Sequence, residues 1–171
     1  QDFGDTDHLP TVMIDDQVCP EIMWKSKELI VCSTPAGWGT SKKVQVTVGD
    51  QSSRPGEVVF NYDPPEVFSV TPEVCPTRGK CLLRISGANF GIEQGDHLQV
   101  RVGGKTCANV GEGTAPLYVN QTSLECVVPG NVGKEQNVEV CVGSQCSTPN
   151  DIFSYRRPEV NEIRLRPGSL K

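Results

Sequence analysis

Cys32-Ser33-Thr34-Pro35-Ala36-Gly37-Trp38-Gly39 returns as Cys126-Val127-Val128-Pro129-Gly130-Asn131-Val132-Gly133, so the chain holds one module written nearly twice. The match runs outward on both sides. Val44-Gln45-Val46-Thr47-Val48-Gly49 answers Val138-Glu139-Val140-Cys141-Val142-Gly143, and Phe60-Asn61-Tyr62 answers Phe153-Ser154-Tyr155. Upstream, Phe3-Gly4 with Asp7-His8-Leu9 answers Phe90-Gly91 with Asp96-His97-Leu98. The period is about ninety residues, which divides the 171 residues into two small domains.

Each module reads as strands. Apolar residues alternate with polar ones in Val44 to Val48, Leu98 to Val102 and Val138 to Val142, and no window sustains the i, i+3, i+4, i+7 spacing of an amphipathic helix. The 17 glycines and 13 prolines supply the turns that many short strands need. In the second module the expected strands are Pro64 to Val70, Cys81 to Gly87, His97 to Val102, Leu124 to Val128, Asn137 to Val142 and Cys146 to Tyr155. Gly103-Gly104 closes a hairpin by supplying positive φ angles. Strands with alternating faces and no crossover helix imply two antiparallel sheets packed face to face.

The expected domains are 1–63, a module lacking its first strands; 64–156, a complete module; and 157–171, the start of a third module or a linker. Phe3-Gly4 aligns with Phe90-Gly91, so nothing in module one answers Pro64 to Asn89. At the far end, Arg157-Pro158-Glu159-Val160 echoes Asp63-Pro64-Pro65-Glu66. A piece of a longer tandem array is the expectation.

Pro65 to Pro72 (Pro-x-Val-x-x-Val-x-Pro in outline), Ile85-Ser86-Gly87-Ala88-Asn89-Phe90-Gly91, Val102-Gly103-Gly104-Lys105-Thr106-Cys107, Leu124 to Pro129 and Phe153-Ser154-Tyr155 together resemble the TIG (IPT) domain. The resemblance implies an all-β chain of tandem immunoglobulin-like (TIG/IPT, early-set) β-sandwiches, as in plexin-like and fibrocystin-like surface proteins. Relatives of the module also occur in transcription factors and beside starch-acting enzymes, so fold alone does not choose the function.

Eight cysteines with no Cys-x-x-Cys spacing favour disulfides and an oxidising compartment. Cys19 with Cys32 and Cys107 with Cys126 hold equivalent places in the two modules and are each expected to bridge internally. A two-residue turn at Gly143-Ser144 sets Cys141 opposite Cys146 within bridging range, which leaves Cys75 for Cys81. Module one carries Thr47 and Ser52 at the places of Cys141 and Cys146. A redox-active Cys141–Cys146 pair is the functional alternative to a structural staple. Asn120-Gln121-Thr122 is a glycosylation sequon.

No catalytic, cofactor or metal set is expected. Gly104-Lys105-Thr106 looks like the end of a phosphate loop, but Gln99 stands where its first glycine belongs and Asp15-Asp16-Gln17 fills the same turn in module one. His8 and His97, one per module, are assigned to surface strands. Asp5, Asp7, Asp15 and Asp16, or Glu93 with Asp96, are oxygen-bearing candidates for calcium that read better as solvated loop charge. Trp24, Trp38 and Tyr118 are candidate aromatic platforms, with packing favoured for Trp38.

The net charge of -5 opposes nucleic-acid binding, which needs a Lys/Arg surface. Arg156, Arg157, Arg164, Arg166 and Lys171 gather near the end but read as a solvated face. The chain has no apolar run long enough to span a bilayer, so membrane association would come only through an anchor outside this segment. The leading expectation is a non-enzymatic extracellular structural or binding segment whose partners are neighbouring modules of the same chain and a protein or extracellular assembly. An accessory polysaccharide-binding module of a secreted enzyme and a Rel-type DNA-contacting module are the alternatives.

Overall fold

The computed structural model describes residues 3, 9–93, 95, 97–108 and 116–164. Module one contains β1 (Thr11–Ile14), β2 (Gln17–Val18), β3 (Ile22–Ser26), β4 (Leu29–Cys32), β5 (Lys42–Val48), β6 (Gln51–Ser52) and β7 (Val58–Phe60). In one antiparallel sheet β1 lies between β2 and β5, and β5 continues to β6 and β7. The other layer is the β3–β4 hairpin. Val12, Ile14 and Cys19 are buried between the layers, with Val44, Val46, Ile22, Ile30, Cys32 and Phe60 packed against them.

Module two contains β8 (Glu66–Thr71), β9 (Val74–Cys75), β10 (Leu82–Ala88), β11 (Leu98–Val102), β12 (Lys105–Thr106), β13 (Leu117–Asn120), β14 (Ser123–Val127), β15 (Val138–Val142), β16 (Gln145–Cys146) and β17 (Ser154–Tyr155). Eight of them form two four-stranded sheets, ordered β13-β14-β10-β8 and β12-β11-β15-β16, and β9 pairs with β17. The period-two pattern is what makes them pack: β10 buries Leu83 and Ile85 while exposing Leu82, Arg84 and Ser86, and β11 buries Leu98, Val100 and Val102. These meet Leu124, Val128, Val138, Val140, Val142, Phe90 and Phe153 in one core. Each fully buried aliphatic side chain there contributes about 1.5–3 kcal/mol.

The two modules differ at one edge. β14 is flanked by β13 and β10, whereas β4 has only β3 beside it among the described residues. On β4, Leu29 and Val31 are exposed.

The expected last strand from Cys146 to Tyr155 is not continuous. Side chains take the place of its ladder: the Val140 amide donates to Ser147 Oγ, the Val138 amide donates to Asn150 Oδ1, and Asn150 Nδ2 donates back to the Val138 carbonyl. Beside one remaining backbone bond, from Ser147 N to the Val140 carbonyl at 2.8 Å, these side-chain bonds replace the pairing a continuous strand would make. Only Ser154–Tyr155 returns to strand, pairing in parallel with β9.

Candidate functional site

The chain crosses from module one to module two through Tyr62-Asp63-Pro64-Pro65, where two prolines fix φ and leave no flexible spacer. Tyr62 anchors the exit. Its hydroxyl donates to the Pro35 carbonyl at 2.8 Å and its ring meets Phe60 edge-on at 5.0 Å. Module two repeats this, with Tyr155 donating to the Pro129 carbonyl at 2.8 Å and Phe153 edge-on at 5.2 Å. Burial raises the phenol pKa of both tyrosines.

Trp38 carries the contact between modules. Its ring stacks on His97 of module two, 4.5 Å between centroids and 6° from parallel, and Lys42 Nζ sits 5.2 Å from the indole centroid. Lys42 is also paired with Asp15 at 3.3 Å. The backbone amide of Lys43, and then Lys42, hold the Asp15 carboxyl below the usual aspartate range. Trp38 also presses on the β15–β16 turn, where a Cβ on Gly143 would lie 2.5 Å from the indole edge. Gly143 has φ of 62°, so both the backbone conformation and the indole require glycine there. From the same hairpin Gln145 Nε2 donates to the Tyr62 carbonyl at 2.8 Å.

Stack, turn and hydrogen bond together make a short polar and aromatic interface. A cleft of about 430 Å³ runs beside it, lined by Thr34, Pro35, Asn61, Asp63, Asn89 and Gln121 among others. Its walls are set by main-chain contacts: Asn89 Nδ2 donates to the Pro64 carbonyl at 3.0 Å, and the Tyr118 hydroxyl to the Gly91 carbonyl at 2.9 Å.

Three disulfides are closed in module two: Cys75–Cys81, Cys107–Cys126 and Cys141–Cys146. The last joins directly opposed residues of β15 and β16, with Cα atoms 4.0 Å apart, so it clamps the hairpin whose tip meets module one. Module one replaces that clamp by a hydrogen bond, Thr47 Oγ1 to Ser52 Oγ at 2.8 Å. Cys19 and Cys32 differ from the expected bridge, for both are thiols in the structure. Burial, followed by the neighbouring Cys32 thiol, pushes the Cys19 thiol up to about 12. Among the described residues the strand that carries Cys32 has a neighbour on one side only, whereas Cys126 sits in a strand held on both.

Several sequence candidates take other roles. His97 is not simply a surface-strand residue: it is half-buried under Trp38, and its Nε2 is buried with no hydrogen-bond partner among the described residues. The sequence offered no signal for this, because Trp38 and His97 are far apart in the chain. Trp24 is half-buried in β3, and Lys105 donates to the Gly130 carbonyl at 2.9 Å from an ordinary β11–β12 hairpin. Glu139 lies close enough to Cys141 and Cys146 to share a metal, but the two sulfurs are bonded to each other. His8, Asp5, Asp7, Asp96, Arg166 and Lys171 lie outside the described residues.

The model of the family described as IPT/TIG domain matches residues 1–62 and again residues 65–155. Human Fibrocystin-L is 28% identical over 120 residues, which is 69% of this chain and 3% of the human protein. Two solved structures of the plexin A4 extracellular region, covering domains 1 to 8 and domains 1 to 10, align with 85% and 92% of this chain. Both give a TM-score of 0.46 at 16% identity, and the chain spans 14% and 13% of their lengths.

Proposed function

The chain belongs to the IPT/TIG domain family, and on that premise we propose that it is a non-enzymatic extracellular segment of a longer surface, adhesion or filament protein, in which it holds binding surfaces at fixed spacing. The observation that carries this reading is the junction: Trp38 stacked on His97 and Gln145 bonded to Tyr62 leave the two modules no independent linker. Closed disulfides support an oxidising compartment. They and the net acidity count against a DNA-contacting Rel-type module.

The far end of module two supports further modules beyond it. Val132, the counterpart of Trp38, is 70% exposed, and Arg156, Arg157 and Pro158 follow Tyr155 as Asp63 and Pro64 follow Tyr62. On this reading the chain from Arg157 onward opens a third module in the longer protein.

Small-angle scattering tests the reading. A single rigid two-module shape is expected; a profile that needs freely jointed modules overturns it.

A further inference from the structure

We propose that Asn120 carries an N-linked glycan and that this glycan shields the exposed apolar side chains of β13. The proposal rests on the extracellular reading above and adds a modification site to it.

Asn120-Gln121-Thr122 is an Asn-x-Thr acceptor. Such a site is modified on the unfolded chain, so the finished fold must leave room for a bulky sugar. This fold does. All three residues are exposed at the tip of the β13–β14 hairpin. Asn120 Oδ1 accepts from the Thr122 amide at 2.9 Å and from Thr122 Oγ1 at 2.8 Å, and no hydrogen bond among the described residues engages Nδ2, the nitrogen that would be modified. The turn itself is pinned by main chain, with Gly87 N donating to the Thr122 carbonyl and Phe90 N to the Gln121 carbonyl, both at 3.0 Å.

The position also has a use. Among the described residues β13 is the last strand of its sheet, and it exposes Leu117 at 38% and Val119 at 49%. Exposed apolar side chains on a strand of this kind invite contact with a second copy, unless something bulky or charged stands over them. Module one meets the same need with charge, for its equivalent hairpin turns at Lys27-Glu28. Module two has Gln121-Thr122 there and offers the sequon instead.

The step balances with a polyprenyl-diphosphate-linked oligosaccharide as donor. A bond forms between Asn120 Nδ2 and the anomeric carbon, the bond from that carbon to the diphosphate oxygen breaks, the electron pair leaves with the diphosphate, and Nδ2 loses one proton.

The test is expression through the secretory pathway of animal cells, followed by peptide mapping with and without peptide-N-glycosidase. Release should convert residue 120 to aspartate; N120Q and T122A should lose the sugar, and T122S should keep it. Native enzymatic trimming of the folded protein, which avoids any folding defect of a variant, should produce concentration-dependent dimers by light scattering. Closed disulfides with a bare Asn120 would overturn the site, and bare Asn120 with reduced cysteines would overturn the extracellular reading beneath it. A glycan whose removal leaves the protein monomeric at every concentration would overturn the shielding role.

Discussion

Gln145 donates its side-chain amide to the Tyr62 carbonyl at 2.8 Å, which ties the tip of the β15–β16 hairpin to the last residue of module one. The Cys141–Cys146 bridge stands two residues from that tip on either side of the turn. Replacing both cysteines by alanine should cost module two ~2 kcal/mol by the loop-entropy relation, measured in a denaturant titration. It should also widen the distribution of inter-module distances seen by scattering. C141T with C146S, which copies the Thr47–Ser52 bond of module one, should restore part of the junction order.

Trp38→Ala removes the stack on His97 and leaves Gly143 uncovered. An aromatic pair of this kind contributes ~0.5–1.5 kcal/mol beyond area burial. Module two should keep its own unfolding midpoint while the relative tumbling of the modules, followed by NMR relaxation, becomes independent. G143V should also free the modules, and should lower the module-two midpoint as well, because φ of 62° strains a β-branched residue. If either variant tumbles as one body, Trp38 does not hold the junction.

Cys19 and Cys32 occupy the places that Cys107 and Cys126 bridge, and the equivalent backbone bonds, Cys19 N to the Val12 carbonyl and Cys107 N to the Val100 carbonyl, are both made. Air or glutathione disulfide is therefore expected to close a fourth bridge, each thiol losing a proton and an electron to the oxidant. Peptide mapping without reduction reads this out. In the reduced protein, Cys19 holds its proton far above the ordinary value of 9.0, to about 12. Alkylation of native protein at neutral pH should thus be slow, and the stabilising effect of the neutral thiol should be intact below pH 9 and fade above it.

Tyr155→Phe leaves the part-buried Pro129 carbonyl without its donor and should cost about 0.5–1.5 kcal/mol. Tyr155 is 4% exposed, and its pKa is raised by burial. The unfolded chain gives up that proton from about pH 10, the ordinary value, while the folded chain keeps it. Stability should therefore hold steady below pH 10 and fall above it, until the folded-state value is passed. In Y155F the alkaline fall should shrink, which a pH series of denaturation midpoints would show.

Much of this architecture was legible in the repeat. Alternation in Leu98 to Val102 and Val138 to Val142 marked strands that the structure pairs residue for residue, and the Gly143-Ser144 turn placed Cys141 opposite Cys146. What escaped were elements without periodicity. β9 and β17 are two residues long and meet in parallel across most of module two. The stretch after Cys146 looked like strand because its apolar residues suit one, yet Ser147 and Asn150 satisfy β15 with side chains. The junction escaped for a different reason: Trp38 and His97 each have an ordinary local context, and only the approach of two modules gives them a shared face.

The parallel pairing of β9 with β17 also sets how the chain would respond to tension. Pulled from the Pro64 side and from the Arg156 side, the two strands are drawn past one another along their length. The bonds from Ser154 N to the Glu73 carbonyl and from Arg156 N to the Cys75 carbonyl are then loaded together in shear. Unzipping one bond at a time is not available to that geometry, and the Cys75–Cys81 link fastens β9 to the start of β10 behind it. Module two is thereby latched along the line joining its two chain ends.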